Sequence, residues 1–203
     1  MNFLEMVFPN KCLLCGKNIK ITELLCQSCL SELFRGPVPL REKNEFFDVY
    51  FYGRYESMLK KLILVYKNGH HWRLYKLISQ LLLKTITRYQ HDADFVTWVP
   101  SSFSSLESRG FDTMGLIAKS IGKSLNIKVV KILDSYAKST KKGMSVSERL
   151  ALAKESFTYI RKMYGRFILI DDVYTTGSTV KECVNLLRKS GVQKVYVYCV
   201  ARA

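Results

Sequence analysis

Residues 168–180 read ILIDDVYTTGSTV, and this stretch decides the fold. The three apolar residues 168–170 predict a short strand that is buried on both faces, as in a parallel sheet. Two carboxylates, Asp171 and Asp172, follow directly. A helical pattern begins at Val180, because apolar residues recur at the third, fourth and seventh positions after it. The predicted order is therefore strand, acidic pair, hydroxyl-rich loop and helix.

The loop between the acidic pair and the helix suits a phosphate group. The start of a helix presents free N–H groups and a partial positive charge, and a phosphate binds there without a lysine. Carboxylates only accept hydrogen bonds, so Asp171 and Asp172 would hold the ribose hydroxyls of the same ligand. A helix-capping turn is the alternative, but it explains two adjacent acids poorly. The predicted ligand is a 5-phosphorylated ribose, and its candidate phosphate-binding residues are Thr175, Thr176, Gly177, Ser178 and Thr179.

Apolar runs alternate with helical patterns along the rest of the chain. This alternation predicts an α/β fold with a doubly wound parallel sheet. Serines after Pro100 predict a loop, and the basic segment 138–149 predicts either a loop that closes over a charged intermediate or an exposed linker. Cys183 and Cys199 fall on apolar positions and are expected in the core. The predicted strands cover residues 47–55, 95–99, 127–133, 165–172 and 194–200, and the predicted helices cover residues 58–66, 74–82, 114–121 and 180–187.

Four of the six cysteines lie near the start of the chain, as two Cys-x-x-Cys pairs. Each pair can hold one edge of a tetrahedral zinc ion, and no ligand position looks open for catalysis. Two disulfides and a redox pair are the alternatives. The prediction is a structural zinc module over residues 1–36, joined to a second domain over residues 37–203. The predicted zinc ligands are Cys12, Cys15, Cys26 and Cys29.

The chain has 32 lysines and arginines against 17 aspartates and glutamates, a net charge of +15. This excess indicates an acidic partner, namely nucleic acid, phosphate-rich ligands or an anionic membrane surface; a generally basic proteome is the alternative. Apolar residues share one side of the predicted helix 58–67, so its lysines are expected to point to solvent. Tyr66 or Trp72 could stack on bases. The candidate nucleic-acid-binding residues are Lys60, Lys61, Lys67, Arg73 and Lys76.

The sequence also suggests a location. No stretch is long and apolar enough to span a bilayer. The first residues, MNFLEMVFP, have an acid where a signal peptide needs basic residues. We therefore expect a cytoplasmic protein, with peripheral attachment to the inner face of the membrane as an option.

Residues 168–179 resemble the phosphoribosyl diphosphate (PRPP) motif of type I phosphoribosyltransferases. The whole chain is similar to the ComF family, competence-type proteins built on a phosphoribosyltransferase domain. Ser102 and Asp112 stand where the family has His and Asn, and these departures weaken transfer chemistry more than phosphoribose binding. The shared motifs are the paired Cys-x-x-Cys, residues 55–69, residues 109–112 (RGFD), residues 147–149 (SER) and residues 168–203.

The resemblance implies a fold of the type I phosphoribosyltransferase kind and a role in the uptake of single-stranded DNA during natural transformation, beside other proteins of the uptake machinery. It also implies a PRPP site in which Mg²⁺ bridges ribose and diphosphate oxygens. Arg109 and Arg149 would contact the diphosphate. An active phosphoribosyltransferase of unknown acceptor is the alternative. In that reaction Asp171 and Asp172 would be catalytic, because they would stabilise positive charge on the ribose.

Overall fold

The computed structural model describes residues 10–35, 39–43, 47–69, 71–135 and 157–203. Its strands are β1 (Asn10–Lys11), β2 (Asn18–Ile19), β3 (Leu40–Lys43), β4 (Asp48–Arg54), β5 (Phe95–Trp98), β6 (Lys128–Val129), β7 (Leu133–Ser135), β8 (Phe157–Tyr159), β9 (Arg166–Tyr174) and β10 (Lys194–Arg202). Its helices are α1 (Gln27–Arg35), α2 (Ser57–Asn68), α3 (Tyr75–Tyr89), α4 (Phe103–Arg109), α5 (Thr113–Leu125) and α6 (Ser178–Lys189), with a 3-10 turn over Trp72–Leu74. Among these helices, none combines the length and the apolar character that a membrane span needs.

Six strands form the central sheet, in the order β3-β4-β10-β9-β5-β6. Strands β4, β10, β9, β5 and β6 run parallel, and β3 pairs antiparallel with β4 at one edge. The predicted doubly wound parallel sheet is confirmed. The edge strand β3 is not predicted by the sequence, because LREK has a single apolar residue and no alternating pattern.

The hydrophobic core lies on both faces of this sheet. The apolar residues 167–170 of β9 are fully buried, and alternate residues face opposite layers. Ile168 contacts the layer that contains α2, α3 and α5, whereas Phe167 and Leu169 contact the layer that contains α6. Cys183 and Cys199 are fully buried in the α6 layer. The doubly buried strand and the two core cysteines are therefore confirmed.

Three predicted elements differ from the structure. Strand β9 continues to Tyr174, so the acidic pair lies inside the strand, because the β9 backbone pairs with β10 along its length. The predicted strand 127–133 divides into β6 and β7, because β7 leaves the central sheet and pairs with β8. The predicted serine loop forms α4, whose start is capped by Ser102: the Ser105 N–H donates to Ser102 Oγ at 3.3 Å. The basic segment 138–149 lies outside the described residues.

The N-terminal cysteine module packs against the larger domain. Leu14, Leu25 and Leu33 are buried in the same cluster as α2 and α3. The Tyr52 hydroxyl of β4 donates a hydrogen bond to the Leu33 carbonyl. The two parts of the chain therefore share one hydrophobic core on this face of the sheet.

Candidate functional site

The acidic pair lies in the last part of β9, at the carboxyl end of the parallel strands. Neighbouring residues of a strand point to opposite faces. Asp171 lies opposite Cys199 in the register with β10, and Asp172 meets Lys67 of α2. The Asp172 N–H donates a hydrogen bond to Asp171 Oδ1 at 2.9 Å. The side chains of Asp171 and Asp172 therefore lie on opposite faces of the end of β9.

Lys67 forms an ion pair with Asp172, because its Nζ lies 2.6 Å from Asp172 Oδ2. Of the two side chains, 27% of the lysine and 19% of the aspartate are exposed. The expectation that Lys67 points to solvent with the other lysines of α2 is wrong. Lys67 lies in the last turn of α2, and this end of the helix meets the carboxyl end of β9. The polar side of the helix therefore faces the acidic pair at this position.

The environment of Asp171 disfavours its charged form. Burial raises the pKa of Asp171 to about 8, and the negative charge of Asp172 adds to the rise. The hydrogen bond from the Asp172 N–H and the positive charge of Lys67 oppose it. The neutral form of Asp171 is therefore favoured by its surroundings, whereas Asp172 lies in an ion pair. A neutral carboxyl group can donate as well as accept, so the two acids can recognise different hydroxyl groups.

The hydroxyl loop forms the start of α6. Gly177 caps this helix in the left-handed region, at φ +78°, and a Cβ atom there would lie 2.2 Å from the Tyr174 hydroxyl. Glycine is therefore required unless the Tyr174 ring moves. The Ser178 N–H donates to Thr176 Oγ1 at 3.4 Å. The start of this 12-residue helix has the polarity that binds anions. Its exposed hydroxyl side chains are Thr175, Thr176, Ser178 and Thr179.

A second polar contact lies at the end of β5, the strand next to β9. Asp112 caps α5, because its Oδ1 accepts a hydrogen bond from the Gly115 N–H at 3.0 Å. Its Oδ2 accepts from the Trp98 Nε1–H at 2.8 Å. Trp98 was not among the candidate site residues predicted from the sequence. Its position at the carboxyl end of a predicted parallel strand could have identified it as one.

Charged groups from three elements surround Tyr66, whose hydroxyl donates to a backbone carbonyl at the start of α5 at 2.7 Å. Burial raises the pKa of Tyr66, the negative charges of Asp112 and Asp172 add to the rise, and Arg109 opposes it. The charge of Arg109 therefore acts on the same buried hydroxyl group as the charge of Asp172. Tyr66 is only 2% exposed and cannot stack on a base, so that expectation is wrong. Arg149, the other diphosphate candidate, lies outside the described residues.

The four N-terminal cysteines form a compact cluster, with all four sulfur atoms within 4.8 Å of one another. The sulfurs of Cys12 and Cys29 are 3.8 Å apart, and those of Cys15 and Cys26 are 3.6 Å apart. A tetrahedral zinc ion with Zn–S bonds of about 2.3 Å needs sulfur–sulfur distances of about 3.8 Å. The Cys29 N–H donates to the Cys26 sulfur at 3.5 Å, and this is the main cause that lowers the pKa of Cys26. All four cysteines are free of disulfides.

Comparisons with known proteins find a match to the cysteine module and matches to nearly the whole chain. A family model described as the double zinc ribbon domain matches residues 3–39. Competence protein F of Haemophilus influenzae is 25% identical over 200 residues, which cover 93% of this chain and 83% of that protein. DNA utilization protein YhgH of Escherichia coli is 24% identical over 203 residues, which cover 94% of this chain and 89% of that protein. The chain is similar to these competence and DNA-utilization proteins, and together with the zinc ribbon match this supports a ComF-like family. The match to a solved structure of adenine phosphoribosyltransferase has 13% sequence identity and a TM-score of 0.45. It covers 86% of this chain and 89% of the chain in that structure.

The cysteine cluster of the ComF-like chain fits a structural zinc ion. The zinc ribbon match and the four close cysteines both support this assignment. Four thiolate ligands complete a tetrahedral site, which leaves no position for a substrate. The alternative of two disulfides is wrong, since the cysteines are free and their sulfurs are 3.6–3.8 Å apart within each close pair.

The remaining nucleic-acid candidates of the ComF-like chain lie on two surfaces. Lys60 and Lys61 are exposed on α2. Arg73 and Lys76 line a cleft of about 410 Å³ between the cysteine module and α3. Trp72 lies beside Arg73 in the 3-10 turn and is 51% exposed. One face of its ring lies parallel to the Tyr75 ring, with centroids 6.2 Å apart, so the other face is the candidate for stacking on a base.

Proposed function

We propose that this ComF-like protein binds PRPP and takes part in the uptake of single-stranded DNA. The observation that carries the proposal is the arrangement at the carboxyl end of β9. There the ion-paired carboxylate of Asp172 and the start of α6 lie at the same strand end. Carboxylates accept from ribose hydroxyls, a helix start binds phosphate, and parallel sheets bind ligands at this edge.

The ligand would span three groups of residues. The 5-phosphate would lie against the first N–H groups of α6 and the hydroxyls of residues 175–179. Asp171 and Asp172 would bind the ribose hydroxyls. Arg109 and Arg149 are the candidates for the diphosphate, and Mg²⁺, which prefers oxygen ligands, would offset the negative charge of the bound PRPP.

An active phosphoribosyltransferase of unknown acceptor is the second candidate. In that reaction the bond between C1 of the ribose and the diphosphate breaks, and positive charge develops on the ribose. The carboxylate of Asp172 favours this candidate, because a negative group beside the ribose would stabilise that charge once the ligand displaces the ammonium group of Lys67. Release of diphosphate from PRPP in the presence of Mg²⁺ and a panel of nucleobases tests it, with Asp172→Asn as the inactive variant.

The role in DNA uptake rests on the relatives and on charge. The names of the relatives refer to competence and DNA utilization, and a net charge of +15 suits a polyanion. We infer single-stranded DNA and proteins of the uptake machinery as partners, in the cytoplasm or at the inner face of the membrane. In this proposal residues 1–36 form the zinc module and residues 37–203 form the phosphoribosyltransferase-like domain.

Calorimetric titration of PRPP with Mg²⁺ tests the ligand. Asp172→Asn keeps the size of the side chain but removes a negative acceptor, so affinity should fall about tenfold or more. Asp134→Asn is the matched control, because it makes the same change at an exposed aspartate that pairs with Lys131 and not with Lys67. Equal affinity in the wild type and Asp172→Asn would show that the acidic pair does not bind the ribose.

A further inference from the structure

Arg202, the last residue of β10, reaches the loop that precedes α6. Its Nη1 donates a hydrogen bond to the Thr175 carbonyl at 3.0 Å. Its guanidinium carbon lies 5.3 Å from the centre of the Tyr174 ring. This ring is the one that a Cβ atom at Gly177 would strike. Arg202 therefore contacts both the first residue of the loop and the ring on which the loop rests.

A residue of the edge strand β3 orients the side chain of Arg202. Glu42 Oε2 of β3 accepts a hydrogen bond from Arg202 Nε at 2.7 Å. The guanidinium has donors in a fixed planar fork, so one edge held by Glu42 fixes the direction of the other edge. The other edge points toward the Thr175 carbonyl, and its Nη1 also donates to the Ala203 carbonyl. A strand with no apolar pattern thus acts on the loop through a single carboxylate.

We propose that Arg202 is a positioning residue for the phosphate end of the ligand, aimed at the Thr175 carbonyl by Glu42. This inference rests on the proposed phosphoribose function. Arg202 holds the backbone of the loop in the shape that presents the first N–H groups of α6. A phosphate in the loop gains from this fixed shape.

A neighbouring arginine, Arg54, serves as a control for the loss of positive charge. Arg54 of β4 lies beside Arg202 in the register of the sheet, and both line the same cleft of about 330 Å³. The Arg54 side chain is exposed. Loss of Arg54 removes the same charge from the same cleft but leaves the contacts between Arg202, Glu42 and Thr175 in place.

Calorimetric titration of ribose 5-phosphate into variants of the full chain tests the inference. Arg202→Met should weaken binding about tenfold, since it removes a charged hydrogen bond to the loop. Arg202→Lys keeps the charge without the fork and should recover part of the loss. Glu42→Gln should weaken binding by about threefold, and the double variant should bind like Arg202→Met alone, because both changes act through one contact. Arg54→Met should stay within about twofold of the wild type.

Several results would overturn the inference. Binding by Arg202→Met within twofold of the wild type would overturn it, and so would an equal loss in Arg54→Met, which would leave charge alone as the cause. If Arg202→Met does not fold, Glu42→Gln decides, and unchanged binding there counts against the inference. If the wild type does not bind ribose 5-phosphate, both the proposed function and this inference are wrong. If the wild type and Arg202→Met bind it equally well, only this inference is wrong.

Discussion

Lys67 Nζ lies 2.6 Å from Asp172 Oδ2, so a lysine of α2 neutralises one of the two acids at the end of β9. In the absence of ligand, the ammonium group of Lys67 is therefore the positive charge next to Asp172. A metal ion or a ribose hydroxyl that binds Asp172 must compete with this ammonium group. The charge at the end of β9 therefore depends on a residue of α2, which belongs to a different layer of the fold.

Lys67→Met should increase the affinity of the protein for a divalent cation in the absence of PRPP. The change leaves the Asp172 carboxylate without its ammonium partner, and the affinity for Mn²⁺ should rise by roughly three- to tenfold. Water-proton relaxation with Mn²⁺ as a paramagnetic probe measures this affinity. Lys119→Met is the control, since Lys119 is exposed on α5. Equal Mn²⁺ affinity in the wild type and Lys67→Met would contradict the prediction.

Asp171→Asn should stabilise the protein at alkaline pH. Burial and the charge of Asp172 raise the pKa of Asp171 from 3.8 to about 8. Folding therefore favours the protonated acid, and its contribution to stability is full below about pH 4 and is lost as pH rises through about 8. Asparagine does not titrate, and its amide oxygen can still accept from the Asp172 N–H.

Urea unfolding at a series of pH values checks this prediction. The free energy of unfolding of Asp171→Asn minus that of the wild type should increase steadily from about pH 4 to about pH 9. Asp134→Asn, at the exposed pair with Lys131, should show no such increase. A difference that is constant over this range would show that Asp171 ionises normally in the folded protein.

The fold could be predicted from sequence where local patterns decide it. The run at residues 168–170 is apolar without alternation, which favours a strand covered on both faces. The spacing after Val180 likewise predicts the buried side of α6, and its four apolar residues are buried. These patterns depend on neighbours in sequence, so they are visible without the tertiary structure.

The parts of the site that sequence could not predict depend on distant contacts. Helical spacing places Lys67 on the polar side of α2, but it does not show that this end of the helix meets Asp172. Glu42 lies in a charged edge strand with no apolar signature, so its contact with Arg202 is invisible until β3 pairs with β4. Polar residues give no signal for whether they face water or another polar group.

Cys12→Ser should release zinc and also lower the thermal stability of the whole chain. The cysteine module shares its core with α2 and α3 through Leu33 and its neighbours, so loss of the metal should loosen that core as well as the module. Elemental analysis should find one zinc per chain in the wild type and less than that in Cys12→Ser. Cys183→Ala, which alters a buried cysteine of the α6 layer, should keep its zinc. Wild-type protein without zinc would refute the assignment.

Single-stranded DNA should bind through Trp72 and the lysines at the start of α2. Lys60 and Lys61 are exposed, and Trp72 is 51% exposed, whereas Tyr66 is buried and Lys67 is paired with Asp172. The logarithm of affinity should fall linearly with the logarithm of salt concentration, by about 0.7 per phosphate neutralised, and replacement of Lys60 and Lys61 by Gln should flatten that slope. Trp72→Ala should weaken binding by about 1–3 kcal/mol, the value of stacking on one base. Fluorescence anisotropy with a labelled oligonucleotide measures each effect. No binding at low salt would mean that any role in DNA uptake depends on a partner protein.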